Sequence, residues 1–352
     1  MNQNLLHAAA ITALLSAAPA LAQTASAPTL AQALALAYEQ GPDLASARSE
    51  LQDAQTSLKA VEADPSAVIL DLTEARQTAE LARLQLVSTR LGVMQNVVNA
   101  YLGLYETQQN IELYKSQVAL DTKNLQVAQA RLAARSGTSL DVSKAQNTLN
   151  TTQQNLANAT AQLGVQRGAL AKLFGQTAGQ ITAKAPPAPP ALTVRQATLS
   201  SDLSERITSI VQARQALELA QLNVRLSDND YTPRLTLEAA KTRLQIAQRD
   251  LQNAQKAAAN SVVDAYRAAQ DAYERIAIEQ KDLQNAQTSL TQAQARYKSG
   301  VISQVELQTT QVALQSAQYA YRQAVDTYWK ALAALSVASG LDVTGLVGGG
   351  QS

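Results

Sequence analysis

The 352-residue chain has no cysteine, and its only histidine is His7. A thiol nucleophile, a disulfide and a Cys/His zinc site are therefore excluded. Beyond residue 22 the commonest general base is missing as well. Aromatic residues make up only 4% of the chain, with one tryptophan (Trp329) and one phenylalanine (Phe174). A compact globular core draws on more aromatic volume than that. Neither sign of charge dominates: 29 Lys and Arg stand against 28 Asp and Glu. No net field draws the chain to nucleic acid or to an anionic membrane surface. After residue 22 no apolar run approaches the ~18 residues that a membrane-crossing helix needs.

What remains is rich in Ala, Gln, Leu, Asn and Thr, a composition that suits long helices packed closely side by side. Residues 1–22 read as a secretory signal peptide. An apolar run from Leu5 to Leu15 is broken by Pro19, and Ala20-Leu21-Ala22 forms a small-residue cleavage site before Gln23. The n-region carries no Lys or Arg, so a buried N-terminal helix is the alternative.

The rest of the chain divides at Ala185-Pro186-Pro187-Ala188-Pro189-Pro190, which cannot be helical. The expected organisation is a first helical-hairpin repeat over 23–185, a Pro-rich linker over 186–192, a second repeat over 193–341 and a flexible Gly-rich tail over 342–352. The repeats are copies in one register. Shifting the first by 165 positions places Val97-Val98-Asn99-Ala100-Tyr101 on Val262-Val263-Asp264-Ala265-Tyr266, Ala128-Gln129-Ala130-Arg131 on Ala293-Gln294-Ala295-Arg296, and Gly175 on Gly340. A single register held over so long a stretch identifies an internal duplication.

The repeated unit is helical by its period. Val97, Leu104, Ile111, Val118, Leu125 and Leu132 recur every seven residues, as do their images Val262, Ala269, Ile276, Leu283, Leu290 and Tyr297. A sustained seven-residue apolar repeat marks helices that supercoil with neighbours. A second row, Leu113, Leu120 and Val127, gives the helix two apolar sides. That pattern suits a ring of helices; a plain two-helix coiled coil would need one row. The spacing predicts long helices over 72–134 and 237–298, each roughly 90–95 Å long at ~1.5 Å per residue. It predicts returning helices over 139–174 and 304–339, with Gly175 and Gly340 at their C-caps, and shorter helices near 29–62 and 193–227. Between each long helix and its return lies a tight turn, at Ser136-Gly137 and at Ser299-Gly300. Each turn is followed by a capping sequence, Thr138-Ser139-Leu140-Asp141 and Ser303-Gln304-Val305-Glu306. Turns this short force the helices antiparallel.

These residues resemble the TolC-like outer-membrane efflux family. Thr29 to Ala37 followed by Gly41-Pro42-Asp43-Leu44 resembles its opening helix. Ala295-Arg296-Tyr297-Lys298-Ser299-Gly300-Val301-Ile302-Ser303-Gln304-Val305-Glu306-Leu307 resembles its helix-tip motif, and Ala130 to Val142 is a looser version with the glycine displaced by two places. The likeness covers about residues 28–340. It implies an all-α fold of long antiparallel helical hairpins in tandem duplication, as in a TolC-like α-barrel protomer. It implies a homotrimeric periplasmic tunnel, docked on a periplasmic adaptor and an inner-membrane pump, and working in tripartite efflux or type I secretion at the outer membrane. By the same resemblance the helix tips line the constriction of the tunnel. The candidates there are Glu306, Asp141, Tyr297, Ser303, Thr138, Gly137 and Gly300. Ile302 stands where the family's best-known tip has an arginine.

Family members place two membrane strands between the short and the long helix of each repeat. Here Pro65 and Pro233 are followed at once by helical sequence, which leaves no room for strands of about 9–11 residues each. The β-barrel strands are therefore expected to be absent or vestigial. A barrel-less coiled-coil scaffold of the cell envelope is the second reading. A periplasmic adaptor would need flanking β-rich domains that the sequence lacks.

Residue by residue the choices stay open. Asp141 and Glu306 serve either as a cation-selective ring at a tunnel mouth or as helix-capping carboxylates. Tyr101 and Tyr266 line a passage or, as core residues, pack between helices. Scattered cations such as Lys115, Arg131 and Arg296 read as a solvated face rather than a nucleic-acid patch. No phosphate loop, metal-spaced carboxylate cluster or nucleophile elbow occurs, so no enzyme and no cofactor is expected.

Overall fold

The computed structural model describes residues 27–176 and 179–346. The proposed signal peptide, residues 1–22, lies outside them. Among the described residues every regular element is a helix. The first repeat comprises α1 (Leu30–Gln40), α2 (Pro42–Ala63), α3 (Ile69–Ala133) and α4 (Ser139–Leu173). The second comprises α5 (Gln196–Ser200), α6 (Leu203–Arg206), α7 (Thr208–Ser227), α8 (Arg234–Lys298) and α9 (Gln304–Ser339). The long helices α3 and α8 have 65 residues each, about 97 Å of rod. They start three residues earlier than the period predicts, because Val68 and Pro233 are still extended and the helical rows begin directly after them.

In each repeat a short and a returning helix share one side of the long helix, the short one against its N-terminal part and the returning one against its C-terminal part. The first short segment, expected as one helix over 29–62, breaks at Gly41-Pro42, because proline cannot donate the next helical bond but fits a first turn. The break abuts the end of α4: a Cβ on Gly41 would lie 2.9 Å from the Leu173 carbonyl oxygen. The second repeat copies the junction at the equivalent position, where a Cβ on Gly340 would lie 3.0 Å from the Cβ of Arg206. Gly175 and Gly340 both sit at positive φ just past the returning helices.

The four long rods lie in the order α4, α3, α9, α8. Helix α9 packs between α8 and α3, and so joins the repeats. The two cores meet on α9. Trp329 enters the cluster of Leu34, Met94, Val98 and Tyr101, while Tyr328 enters that of Ile210, Val262 and Leu332. The non-helical strap over 179–195 is longer than the expected linker and is tied down. Trp329 Nε1 donates to the Pro187 carbonyl (3.1 Å), and the Tyr328 hydroxyl donates to that of Pro190 (2.9 Å). Burial pushes the Tyr328 phenol up to about 12, and the Tyr273 and Tyr266 phenols beside it add to the effect.

The expected flexible tail needs correcting at its start. Residues 342–346 pack against both cores: Val343 lies on the second, while Thr344 is buried with its hydroxyl 3.2 Å from Met94 Sδ and Leu346 lies on the first. The reason is local, since an Asp342 carboxylate oxygen accepts both the Thr344 amide and its hydroxyl and folds the segment inward. Residues 347–352 lie outside the described part.

Candidate functional site

The two turns that end α3 and α8 lie at the same end of the molecule, because α3 and α9 run antiparallel. Tyr105 meets Arg322, and farther along the same pair Ser116 and Gln315 line one cleft. Both turns close with the same hydrogen-bond pattern. In the first, Arg135 N donates to Leu132 O (3.0 Å) and Ser136 N to Arg131 O (2.9 Å). In the second, Gly300 N donates to Tyr297 O (3.0 Å) and Val301 N to Arg296 O (2.8 Å). These are paired Schellman bonds, which need one residue in the left-handed region. At the second tip that residue is Gly300, with φ 73°; at the first it is Arg135, with φ 56°. The displaced glycine of the first tip thus has a different task. Gly137 lets the chain pass close to the end of α3, where a Cβ would come within 3.0 Å of the Arg131 Cβ.

The returning helices then open on full capping boxes. The Thr138 hydroxyl accepts the Asp141 amide (3.2 Å), and Asp141 Oδ2 accepts the Thr138 amide (3.0 Å). Ser303 and Glu306 repeat this at 3.2 and 2.8 Å. Hydrogen bonds from the Thr138 hydroxyl and amide hold the Asp141 carboxyl below its ordinary value. Bonds from the Ser303 amide and hydroxyl do the same for Glu306. Both acids are exposed and ionised at neutral pH. Around them stand apolar side chains open to solvent: Leu132, Leu140, Val301 and the half-exposed Tyr297. Each tip therefore presents a fixed carboxylate among apolar groups.

Tyr101 proves to be a core residue. It is fully buried, its hydroxyl lies 2.9 Å from both the Pro28 and the Lys184 carbonyl oxygens, and it accepts the Lys184 amide at 3.0 Å. Tyr266 is half-buried on the second core.

Two polar constellations were not anticipated from the sequence. Asp121, buried on α3, accepts Gln117 Nε2 (3.1 Å) and the hydroxyl of Thr152 on α4 (2.8 Å), locking the first hairpin. Between α3 and α9, Lys330 pairs with Glu106 (2.7 Å), Arg322 donates to the Tyr105 hydroxyl (2.7 Å), and Asp326 lies buried between them. The available signal was the spacing Arg322, Asp326, Lys330 on one helical face, at positions where the first repeat has Ala157, Ala161 and Val165.

No helix among the described residues is long and apolar enough to cross a membrane. The chain shows no match to curated proteins. Among solved structures it is similar to the outer membrane protein VceC of Vibrio cholerae, at 18% identity over 88% of this chain and 96% of that one, with a TM-score of 0.64. It is similar to the outer membrane channel CmeC of Campylobacter jejuni, at 14% identity over 96% and 94%, with a TM-score of 0.67. The outer-membrane channel OprN aligns at 17% identity over 88% and 89%, with a TM-score of 0.66. At these identities the likeness establishes the fold. The family model described as outer membrane efflux protein matches residues 67–176 and 236–341, the greater part of the chain and both halves of the duplication. The chain belongs to the outer membrane efflux protein family.

Proposed function

We propose that the protein is the helical tunnel component of a tripartite efflux or type I secretion system, assembled as a homotrimer beneath the outer membrane. Its family consists of efflux proteins and not of enzymes. The observation that carries the reading is the pair of open edges. In the tip half α8 packs against α9 alone, and α4 shares substantial contact only with α3. Both edges expose apolar side chains, Leu140 and Val165 on α4 and Ile278 and Tyr297 on α8. An α4 edge seated on the α8 edge of the next copy is a heterologous contact, and such contacts close into rings. The heptad rows point the same way. Val97, Leu104 and Ile111 are buried within the chain, whereas Leu132 and Tyr297 at the tip end of the rows are exposed.

In that ring Asp141, Glu306 and Tyr297 stand at the tip end, where three copies of each carboxylate would favour cations. A periplasmic adaptor and an inner-membrane pump are the partners that fit such an end. Export through the 1–22 signal belongs to the same proposal.

A second reading rests on the opposite end. The connectors between α2 and α3 and between α7 and α8 run over only 64–68 and 228–233, too short for membrane strands of about 9–11 residues. A barrel-less trimer acting as a spacer or scaffold in the cell envelope accounts for that. Planar-bilayer conductance of the purified trimer separates the two. Reproducible cation-preferring channels, altered by Glu306→Gln, support the tunnel. A trimer that never conducts, yet cross-links to an envelope partner, overturns it in favour of the scaffold, and a monomer overturns both.

A further inference from the structure

The seam between the repeats contains an acid with no visible task. Asp326 is only 1% exposed, and its Oδ2 is buried without a hydrogen-bond partner. An ionised carboxylate left in that state is costly. On α9, Arg322 and Lys330 lie one turn to either side of it, at the spacing that lets side chains pair along a helix. Both cations instead reach across to α3, Arg322 to the Tyr105 hydroxyl and Lys330 to Glu106, each at 2.7 Å. The Arg322 guanidinium also lies 5.9 Å from the centre of the Tyr105 ring.

We propose that Asp326 is a proton-operated selector that decides whether Arg322 and Lys330 tie the two repeats together or turn back onto their own helix. With the proton on, the carboxyl makes no claim on either cation, and both ties across the seam form as observed. With the proton off, the carboxylate competes for both, at a position equivalent for each, and the α3–α9 seam loosens. A polar cleft of about 200 Å³, lined by Gln109, Glu112, Ser116, Gln318, Tyr319 and Arg322, opens beside the cluster, and Arg322 belongs to both.

The surroundings set the range. Burial, helped by the Glu106 carboxylate and opposed by Lys330 and Arg322, raises the Asp326 carboxyl to about 7. Tyr105 on α3 and Tyr319 on α9 complete the ionisable groups coupled to it. On the other face of α9, Tyr266 and Tyr273 of α8 act on Tyr328 instead. A carboxyl raised in the folded state favours folding at low pH. Its contribution fades as pH rises from the ordinary carboxylate range to the folded value, so the seam is tightest in mild acid.

The test uses the full chain. It has no cysteine, so Gln109→Cys and Gln318→Cys on opposite walls of the cleft accept spin labels at those two places alone. The distance between labels is read from about pH 5 to about pH 9. The expected result is a short, narrow distribution in acid that lengthens or broadens with a midpoint near neutrality. No histidine other than His7 is available to produce such a midpoint. In the Asp326→Asn background the short form should persist throughout. A distance independent of pH in the parent, or an unchanged transition with Asp326→Asn, overturns the proposal. If Asp326→Asn fails to fold, Glu106→Gln decides. Removal of that neighbouring charge must move the midpoint to lower pH by about half a unit or more, and an unmoved midpoint overturns the proposal.

Discussion

Replacing Arg135 by glycine should strengthen the first helix tip, although it removes a large side chain and adds no contact. Arg135 and Gly300 hold the same position in the same turn, with φ 56° and 73°. Placing an L side chain in this region costs about 1–2 kcal/mol. Glycine returns roughly 0.5–1 kcal/mol of that through its greater freedom in the unfolded chain. Arg135→Gly should therefore stabilise the closed tip by about 0.5–1 kcal/mol, and Gly300→Arg should weaken the other tip by a similar amount. The effect belongs to the turn rather than to the whole rod, so global melting is a poor gauge. Amide exchange at Ser136 and Val301 is the better one, because their amides close the two turns. With tenfold per ~1.4 kcal/mol, exchange at Ser136 should slow about two- to fivefold in Arg135→Gly, and exchange at Val301 should not change. Arg135 also puts a cation near the C-terminus of α3, where it is favourable. That contribution is screened by salt while backbone strain is not, so the gain should grow with ionic strength. Faster exchange at Ser136 in Arg135→Gly at high salt would refute the argument.

Thr152→Val removes the one α4 partner of the buried Asp121 carboxylate, leaving it Gln117. It should destabilise the protein by about 1–3 kcal/mol in denaturant unfolding, and a neutral outcome would mean that water replaces the hydroxyl. The capping carboxylates set an acid limit. Asp141 and Glu306 are held below their ordinary values, so what they add is complete above those values and is lost as pH falls through the lower folded ones. The first turns of α4 and α9 should therefore fray only in strong acid, as followed by carboxyl and amide chemical shifts; titration at or above ordinary values would contradict the boxes.

Periodicity exposed the long rods, the hairpin turns, the duplication and both capping boxes, because each is specified by residues close together in the chain. Thr138 with Asp141 and Ser303 with Glu306 are three positions apart and need no distant partner. What stayed hidden depends on packing between segments far apart in sequence. Nothing near Thr344 announces that it closes on Met94, 250 positions away. The Pro-rich strap reads as a spacer until Trp329 and Tyr328 are seen to donate to its carbonyls. The tip glycines were legible only in part: a glycine marks the turn, but Gly137 serves a close approach while Arg135 takes the backbone conformation that glycine favours. The Asp326 cluster was hidden for another reason. Seven-residue rows average over neighbours, and one acid on an apolar face is lost in that average.

The divergence between α4 and α9 bears on how the molecule assembles. The two helices are copies, yet α9 lies between α8 and α3, while α4 has α3 on one side only. The position of buried Asp326 is held in α4 by exposed Ala161, and that of Lys330 by Val165, which is 63% exposed. A solvent-facing helix gains nothing from an exposed valine where its twin has a lysine. A helix edge awaiting a partner does, because an apolar side chain buried there adds about 25 cal/mol per Å² without the desolvation cost of a charge. Closing the proposed ring by setting α4 on the α8 of the next copy would place it between an α3 and an α8, the same two neighbours that α9 already has. Every returning helix in the ring would then be flanked alike. The seam within each chain would carry charges open to titration, and the seam between chains would carry apolar contacts, so that pH acts on the first and leaves the second intact. Val165→Lys should accordingly leave the monomer folded while driving the oligomer apart in sedimentation, and an unchanged oligomer would show that α4 is not the closing edge.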